Sequence, residues 1–173
     1  NEGGDKITQD ELRGTQNPGA VVSSVWDGNK VKIFGAKNEV VAFNLVLEAA
    51  SGTAQNVQVR LNQLTGPGGT TIQSQNATGN GVYNWVNRNI ELFFVRYLEI
   101  KGTSLLSYDN YDERHTPKRL RRPWSGNGTG SGLWTDRPDH NKFYPEIAVP
   151  YEWVQTFNVA SGKNQSIWAD IYV

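Results

Sequence analysis

Apolar and polar residues alternate along several short segments of the chain, with the period of two that is typical of β-strands. The clearest segment is Glu39–Glu48, in which Val41, Phe43, Leu45 and Leu47 fall on one face. The opposite face of this segment is also partly apolar, which favours a central strand. The alternation therefore predicts a long strand that contributes four apolar side chains to a core.

Other segments show the same alternation or end in turn residues. Val57, Val59 and Leu61 alternate with polar residues, which predicts a strand with one face in solvent. The remaining predicted strands are 20–26, 30–34, 89–101, 144–150, 155–159 and 166–173. The first two form a hairpin around Asp27-Gly28-Asn29. No segment shows a helical period with caps, so we predict an all-β fold, an antiparallel β-sandwich of the jelly-roll type.

Residues 107–140 interrupt this pattern. They contain both histidines, two of the six tryptophans and three of the seven prolines. An irregular loop of this length is uncommon in a compact domain and usually has a function. We therefore predict one long irregular excursion from a single domain that spans 20–173. Residues 1–19 are rich in Gly, Asp, Gln and Asn, and we expect them to form a flexible N-terminal arm.

Composition narrows the classes of function. Lys and Arg total 17 and Asp and Glu total 17, so the formal net charge is zero. Nucleic-acid-binding domains usually carry a basic excess, and no such partner is expected here. No stretch approaches the roughly 18 apolar residues of a membrane span. The chain has neither cysteine nor methionine, even at position 1, which suggests a processed product or an excised domain.

The candidate binding residues are concentrated in the excursion. Trp124 and Trp134 flank the Gly/Ser/Asn-rich segment 125–132, and flat aromatic rings on a polar loop can stack on the apolar face of a sugar ring. Side chains that can add hydrogen bonds, charge or a second aromatic platform are Tyr108, Tyr111, Arg114, Arg121, Arg122, Asp136 and His140. The alternative is that the indoles pack on the edge of the sandwich, because most indoles are buried. Burial is favoured for any one ring, and glycan binding for the cluster as a whole.

Metal and catalytic chemistry receive less support from the sequence. Asp109 and Asp112 offer oxygen ligands, so a structural calcium ion is kept as an alternative to having no cofactor. Glycoside hydrolysis needs two positioned carboxylates. The sequence alone does not place any two of the candidate carboxylates across a sugar. These candidates are Asp112, Glu113, Asp136 and Glu146. We assign no catalytic residue and expect no catalysis by the chain alone.

Both ends of the sandwich region resemble a known family. The turn Gly35-Ala36-Lys37-Asn38-Glu39 with its following strand, and the closing segment 162–173, resemble the N-terminal β-sandwich of the bacterial DUF4091 group, which is related to glycoside hydrolase family 123. In that family the domain precedes a catalytic barrel that this sequence does not contain, so no catalytic carboxylate is carried over.

The resemblance implies a non-catalytic carbohydrate-binding accessory domain of a polysaccharide-degrading protein. Its expected partners are a polysaccharide or oligosaccharide and the catalytic domain of a larger protein, and its expected location is secreted or at the cell surface. Two alternatives remain open. The domain is a structural spacer that packs on a catalytic barrel, or it is a β-sandwich polysaccharide lyase or hydrolase.

Overall fold

The computed structural model describes residues 7–74, 88–99 and 142–173, and strands dominate them. In chain order the strands are β1 (Val40–Ala49), β2 (Ala54–Val57), β3 (Gln63–Thr65), β4 (Thr71–Gln73), β5 (Ile90–Glu99), β6 (Phe143–Pro150), β7 (Phe157–Val159) and β8 (Lys163–Tyr172). Short helices α1 (Arg13–Gln16) and α2 (Pro18–Val21) precede them, and single 3-10 turns span Pro67–Gly69 and Tyr151–Trp153. The predicted all-β class is confirmed. No helix in these ranges has the length and apolar character needed to cross a membrane.

The described residues fall into two compact units. The smaller contains 7–9, 97–99 and 142–145, and within it the Gln9 N–H donates to the Phe143 carbonyl over 3.0 Å. The larger contains 10–74, 88–96 and 146–173, and every site discussed below belongs to it. That residues 20–173 form a single domain stays a prediction.

Strand β8 is one of the two central strands of a four-stranded antiparallel sheet with the order β1-β8-β5-β6. It pairs with β1 without a register shift, from Val40 opposite Tyr172 to Ala49 opposite Lys163. Its ladder with β5 ends where Phe94 lies opposite Ile167. The smaller pairs are β2 with β7 and β3 with β4. The long alternating segments of the sequence therefore form strands as predicted, but β1, which was predicted to be central, lies at an edge of the sheet.

The register places nine apolar side chains of this sheet on one face, because opposite residues in an antiparallel ladder share a face. The members of this apolar face are Val41, Phe43, Leu45, Ile90, Leu92, Phe94, Ile167, Ala169 and Ile171. The three from β8 are almost completely buried. The Phe94 ring meets Phe157 of β7 edge-on at a centroid distance of 5.1 Å. Strand β7 therefore packs on the apolar face and covers part of the core.

Residues of the segment 57–61 are connected to this core through Phe157. Val57 lies opposite Phe157 in the β2–β7 pair. The Val59 N–H donates to the Tyr151 hydroxyl over 2.8 Å, and the Tyr151 ring lies 6.4 Å from the Phe157 ring. A complete two-sheet sandwich of the jelly-roll type stays a prediction.

Three of the predicted strands, 20–26, 30–34 and 57–61, are wrong. Residues 20–26 do not form a strand, since α2 begins at Pro18, a residue favoured at the first helical position. Their predicted partner, 30–34, contributes one isolated bridge between Trp26 and Val31. Residues 57–61 keep the predicted alternation of exposure but extend no ladder. Asn56 takes a left-handed φ of 52°, and the β2–β7 register shifts between Ala54 and Val57.

The described part of the predicted N-terminal arm is tied to the sheet by side chains. The Glu48 carboxylate accepts the N–H groups of Gly14 and Thr15, each over 2.8 Å. The Asn164 amide donates to the Glu11 carbonyl. These bonds connect α1 to β1 and the residue Glu11, which precedes α1, to β8. The amino-acid composition of the segment gave no indication of them.

Candidate functional site

Trp168 and Tyr172 expose their rings on the face of β8 that is opposite the apolar face. They are four residues apart on β8, so both project away from the apolar face that buries Ile167, Ala169 and Ile171. The exposed fractions are 41% for Trp168 and 46% for Tyr172. At a rise of roughly 3.3 Å per residue, their Cα atoms are about 13 Å apart. A rigid strand thus presents two aromatic rings to solvent with a fixed spacing.

A hydrogen bond on the same face holds the Trp168 indole. Its Nε1–H donates to Oδ1 of Asp170 over 2.6 Å. Residues two apart on a strand project to the same face, so this bond requires no distortion of the sheet. Because Nε1–H is the indole's single donor, the ring itself remains available for apolar contact.

A turn before β1 holds the Tyr172 ring. The Tyr172 hydroxyl donates to Oδ1 of Asn38 over 3.0 Å, and Asn38 has a left-handed φ of 65°, which asparagine tolerates. The Asn38 N–H also donates to the Val173 carbonyl over 2.7 Å. Glu39 closes the turn, since its Oε2 accepts the Ala36 N–H over 2.7 Å. The Gly-Ala-x-Asn-Glu motif of the sequence therefore positions an exposed tyrosine.

Strand β1 adds polar groups beside the rings. Asn44 lies opposite Trp168, is exposed, and donates from Nδ2 to Oγ of Ser166 over 3.4 Å. On the other side of β8, Phe93 lies opposite Trp168 and Glu91 lies opposite Asp170. We call the exposed surface formed by Asn38, Asn44, Trp168, Asp170 and Tyr172 the Trp168–Tyr172 face. It combines two flat rings with amide and carboxylate hydrogen-bonding groups.

A second group of polar side chains surrounds Arg88. Its mostly buried guanidinium lies 3.6 Å from Oε1 of Glu91 and also pairs with Oε1 of Glu152. Oε2 of Glu152 is buried and has no hydrogen-bond partner among the described residues. Both carboxylates are committed to one arginine, so we interpret this group as an ion-pair cluster that joins the Tyr151–Trp153 turn to the start of β5.

The site residues predicted from the sequence lie outside the described residues. These are Tyr108, Tyr111, Arg114, Trp124, Trp134, Arg121, Arg122, Asp136 and His140 as ligand-binding candidates, together with Asp109 and Asp112 as calcium ligands. Glu146 is described, and it is an exposed residue of β6. Across 7–74, 88–99 and 142–173, no group of three or more His, Cys, Asp or Glu side chains is placed to hold a metal ion. A glycan or calcium site in the excursion stays a prediction.

Sequence reasoning did not single out the Trp168–Tyr172 face. The alternation over 166–173 separated Trp168, Asp170 and Tyr172 from the buried residues of β8, which was the available signal. It did not indicate that the rings of Trp168 and Tyr172 stay partly exposed to solvent. A search of protein families found no matching family, and a search of curated proteins found no significant match.

Proposed function

We propose that this chain binds carbohydrate as a non-catalytic accessory domain of a larger polysaccharide-degrading protein, and that the Trp168–Tyr172 face contacts the glycan. The observation that supports this proposal most strongly is the pair of exposed rings on β8. A sugar ring offers an apolar C–H face to an aromatic ring and offers hydroxyls to nearby amides and carboxylates. Sites of this kind combine apolar contact with a few polar groups that fix orientation.

The rings are oriented before any ligand arrives. Asp170 holds the indole of Trp168, and Asn38 holds the hydroxyl of Tyr172. Less side-chain freedom is lost on binding when the contact groups are already ordered, so more of the interaction energy appears as affinity. The surface is open, however, and leaves much of a sugar in water. We therefore expect weak binding.

Charge favours a neutral sugar over a nucleic acid. Surfaces that bind single-stranded nucleic acids combine stacking rings with a positively charged groove. The Trp168–Tyr172 face contains the carboxylate of Asp170, and Glu91 lies opposite that residue. The Asp170 carboxylate would repel phosphates, whereas it can accept hydrogen bonds from sugar hydroxyls.

The rest of the proposed function extends the resemblance to the accessory domains of the DUF4091 group. It includes the catalytic domain of a larger protein as a partner and a secreted or cell-surface location. The excursion, with Trp124 and Trp134, is proposed as a second glycan-binding region. The same binding assay tests both regions.

A structural spacer is the second candidate function, and one observation favours it. Phe34 is 93% exposed and Trp153 is 61% exposed. Contiguous apolar patches in solvent mark surfaces that meet another protein or domain, and Phe34 lines an apolar groove with Val25, Ile33 and Val41. A domain that acts only as a spacer would have no measurable affinity for glycans.

Titration with soluble oligosaccharides of plant and algal polysaccharides, followed by tryptophan fluorescence and calorimetry, tests the proposal. We expect the parent chain to bind and Trp168→Ala to weaken binding about tenfold or more, which corresponds to about 1.4 kcal/mol. Tyr172→Ala should act in the same direction. Trp153→Ala is the matched control, because it removes an exposed ring outside the Trp168–Tyr172 face.

Trp124→Ala and Trp134→Ala, measured in parallel, separate the two proposed regions. If Trp168→Ala stays folded and binds like the parent while the excursion variants lose affinity, the site lies in the excursion. If the parent binds no oligosaccharide in the panel, the accessory glycan-binding function is wrong and the spacer is favoured.

A further inference from the structure

Strand β1 is an edge of the four-stranded sheet, since β8 is its one neighbour in the strand order. In an antiparallel pair, successive residues direct their N–H and C=O groups alternately toward and away from the neighbouring strand. The Val173 N–H donates to the Glu39 carbonyl over 2.9 Å, which shows that odd-numbered residues bond to β8. The outward-directed residues are Val40, Ala42, Asn44, Val46 and Glu48. No described strand pairs with this outer row of backbone groups.

Three features that normally protect an edge strand, lysine, proline and a bulge, are missing from β1. Natural edges carry lysine, proline or a bulge, or they are short. β1 is ten residues long, its sequence VVAFNLVLEA contains no lysine, arginine, proline or glycine, and its ladder with β8 shows no shift. Its one charged residue, Glu48, is engaged by Gly14 and Thr15. The strand is therefore a long, regular and nearly neutral template for a further strand.

An apolar groove lies along the beginning of this edge. It has a volume of about 540 Å³, and its lining includes Val25, Ile33, Phe34, Val41 and Ala42. Phe34 is almost fully in solvent. Lys32 also lines the groove, and its ammonium pairs with Asp27 over 2.9 Å. A strand added at Ala42 would thus place its side chains beside apolar surface and would meet no unpaired lysine there.

We propose that β1 pairs antiparallel with β1 of a second copy of this chain, so that two four-stranded sheets become one continuous sheet. An edge strand is its own complement under a two-fold axis, because both copies offer the same row of donors and acceptors. This inference concerns the edge of the sheet and is independent of the proposed glycan binding.

The side chains of β1 favour a pairing centred on Asn44. In this register all five outward residues find partners, and Ala42 lies opposite the partner's Val46. Val41 lies opposite the partner's Leu47, and Phe43 lies opposite the partner's Leu45. These contacts continue the apolar face across the two-fold axis. Glu48 lies opposite the partner's Val40, so no like charges face each other across the strands. The zero net charge of the chain also removes general repulsion between copies.

Cysteine cross-linking tests the register directly, because the chain has no cysteine of its own. At the centre of the proposed pairing, two Asn44 positions form a hydrogen-bonded pair with a Cα separation of about 5.5 Å. This separation suits a disulfide. We expect Asn44→Cys to give a covalent dimer on mild oxidation. Gln58→Cys, at an exposed position away from the edge, should stay largely monomeric.

Sedimentation equilibrium over a range of concentrations tests the association itself. We expect a reversible dimer, and we expect Ala42→Lys to raise its dissociation constant at least tenfold, since a lysine on the edge opposes strand addition. Gln58→Lys adds the same charge at an exposed site off the edge and should leave the dimer unchanged. Circular dichroism confirms that both variants are folded.

Amide hydrogen exchange distinguishes edge pairing from any other dimer. The amides of Ala42, Asn44 and Val46 should exchange more slowly as the dimer forms, while the amides bonded to β8 change little. A chain that stays monomeric at the highest concentration contradicts the proposal. So does a dimer that forms without protection of these amides, or one that Ala42→Lys leaves unchanged.

Discussion

Asp27 is the residue whose acidity the fold alters most clearly among the described groups. Its Oδ1 accepts the N–H groups of Asn29 over 3.0 Å and Lys30 over 2.8 Å, and its Oδ2 pairs with Lys32 over 2.9 Å. The Lys32 ammonium, followed by the N–H groups of Lys30 and Asn29, lowers the pKa of the Asp27 carboxyl from 3.8 to about 2. All of these interactions favour the ionised carboxylate. The turn predicted at Asp27-Gly28-Asn29 is therefore held by one charged side chain.

We predict that Asp27 gives the protein a pH-dependent stability in a defined window. Its folded pKa lies below its unfolded pKa, so its contribution is fully present above about pH 4 and is lost as the pH falls through about 2. Asp27→Asn keeps a side-chain oxygen acceptor for the turn but removes the charge. It should reduce the loss of stability across this window in urea titrations. A carboxyl NMR titration with a midpoint near 3.8 would contradict the lowered pKa.

At the scale of single residues, the alternating pattern predicted which side chains are buried, but it did not predict their hydrogen bonds. The pattern over 166–173 separated the buried Ile167, Ala169 and Ile171 from their exposed neighbours. It gave no sign that the buried Gln165 amide donates to the Val95 carbonyl over 2.7 Å. That bond joins residues 70 positions apart where the β5–β8 ladder ends. Such a bond depends on the final register of the strands, which local sequence does not encode.

The loop that leads into β1 approaches the sheet closely at Gly35. A Cβ atom at this position would lie 2.8 Å from Cγ1 of Val41 and 2.9 Å from Cγ2 of Val173. Both contacts are shorter than van der Waals packing allows, and both neighbours are branched side chains with little freedom at χ1. The loop therefore packs closely against β1 and the end of β8 because residue 35 has no side chain.

We predict that Gly35→Ala destabilises the protein by about 1–3 kcal/mol, the usual effect of forcing an extra methyl group into a packed site. Gly19→Ala is the matched control, since a Cβ there would approach one atom at 4.0 Å. Urea unfolding of both variants measures the difference. Equal stabilities would show that the loop relaxes without loss of packing. Tyr172→Phe provides a further comparison, because it loosens the same turn by removing the bond to Asn38.

Among the elements, the three longest strands were predicted closely by their alternation. β1, β5 and β8 each have ten residues, and their alternation placed them within a few residues of the observed bounds. The segments 20–26 and 57–61 are shorter. Their patterns were overridden by the proline that opens α2 and by the left-handed Asn56. A few alternating residues do not outweigh a backbone preference of this kind, whereas ten of them with a buried face do.

The larger unit connects residues that lie far apart in the chain. α1 is joined to β1 through Glu48, and residues before α1 are joined to β8 through Asn164, 153 positions away from its partner Glu11. Asn164 and its neighbour Ser166 are almost completely buried. A buried polar group that loses its partner is destabilising. The segment that ends with α1 thus supplies hydrogen-bonding partners that the sheet needs, although its composition suggested a loosely attached arm.

We predict that deletion of residues 1–16 destabilises the protein and that a double-mutant cycle with Glu48→Ala identifies the reason. In the full chain Glu48→Ala should cost about 1–3 kcal/mol, because two backbone N–H groups lose a charged acceptor. In the truncated chain the Glu48 carboxylate has lost these partners, so the same substitution should have little effect or should stabilise. Urea unfolding of the four proteins gives the coupling energy. Additive effects of the deletion and of Glu48→Ala would show that the carboxylate does not hold the segment. A deletion that leaves the stability unchanged would support the flexible arm that the sequence predicted.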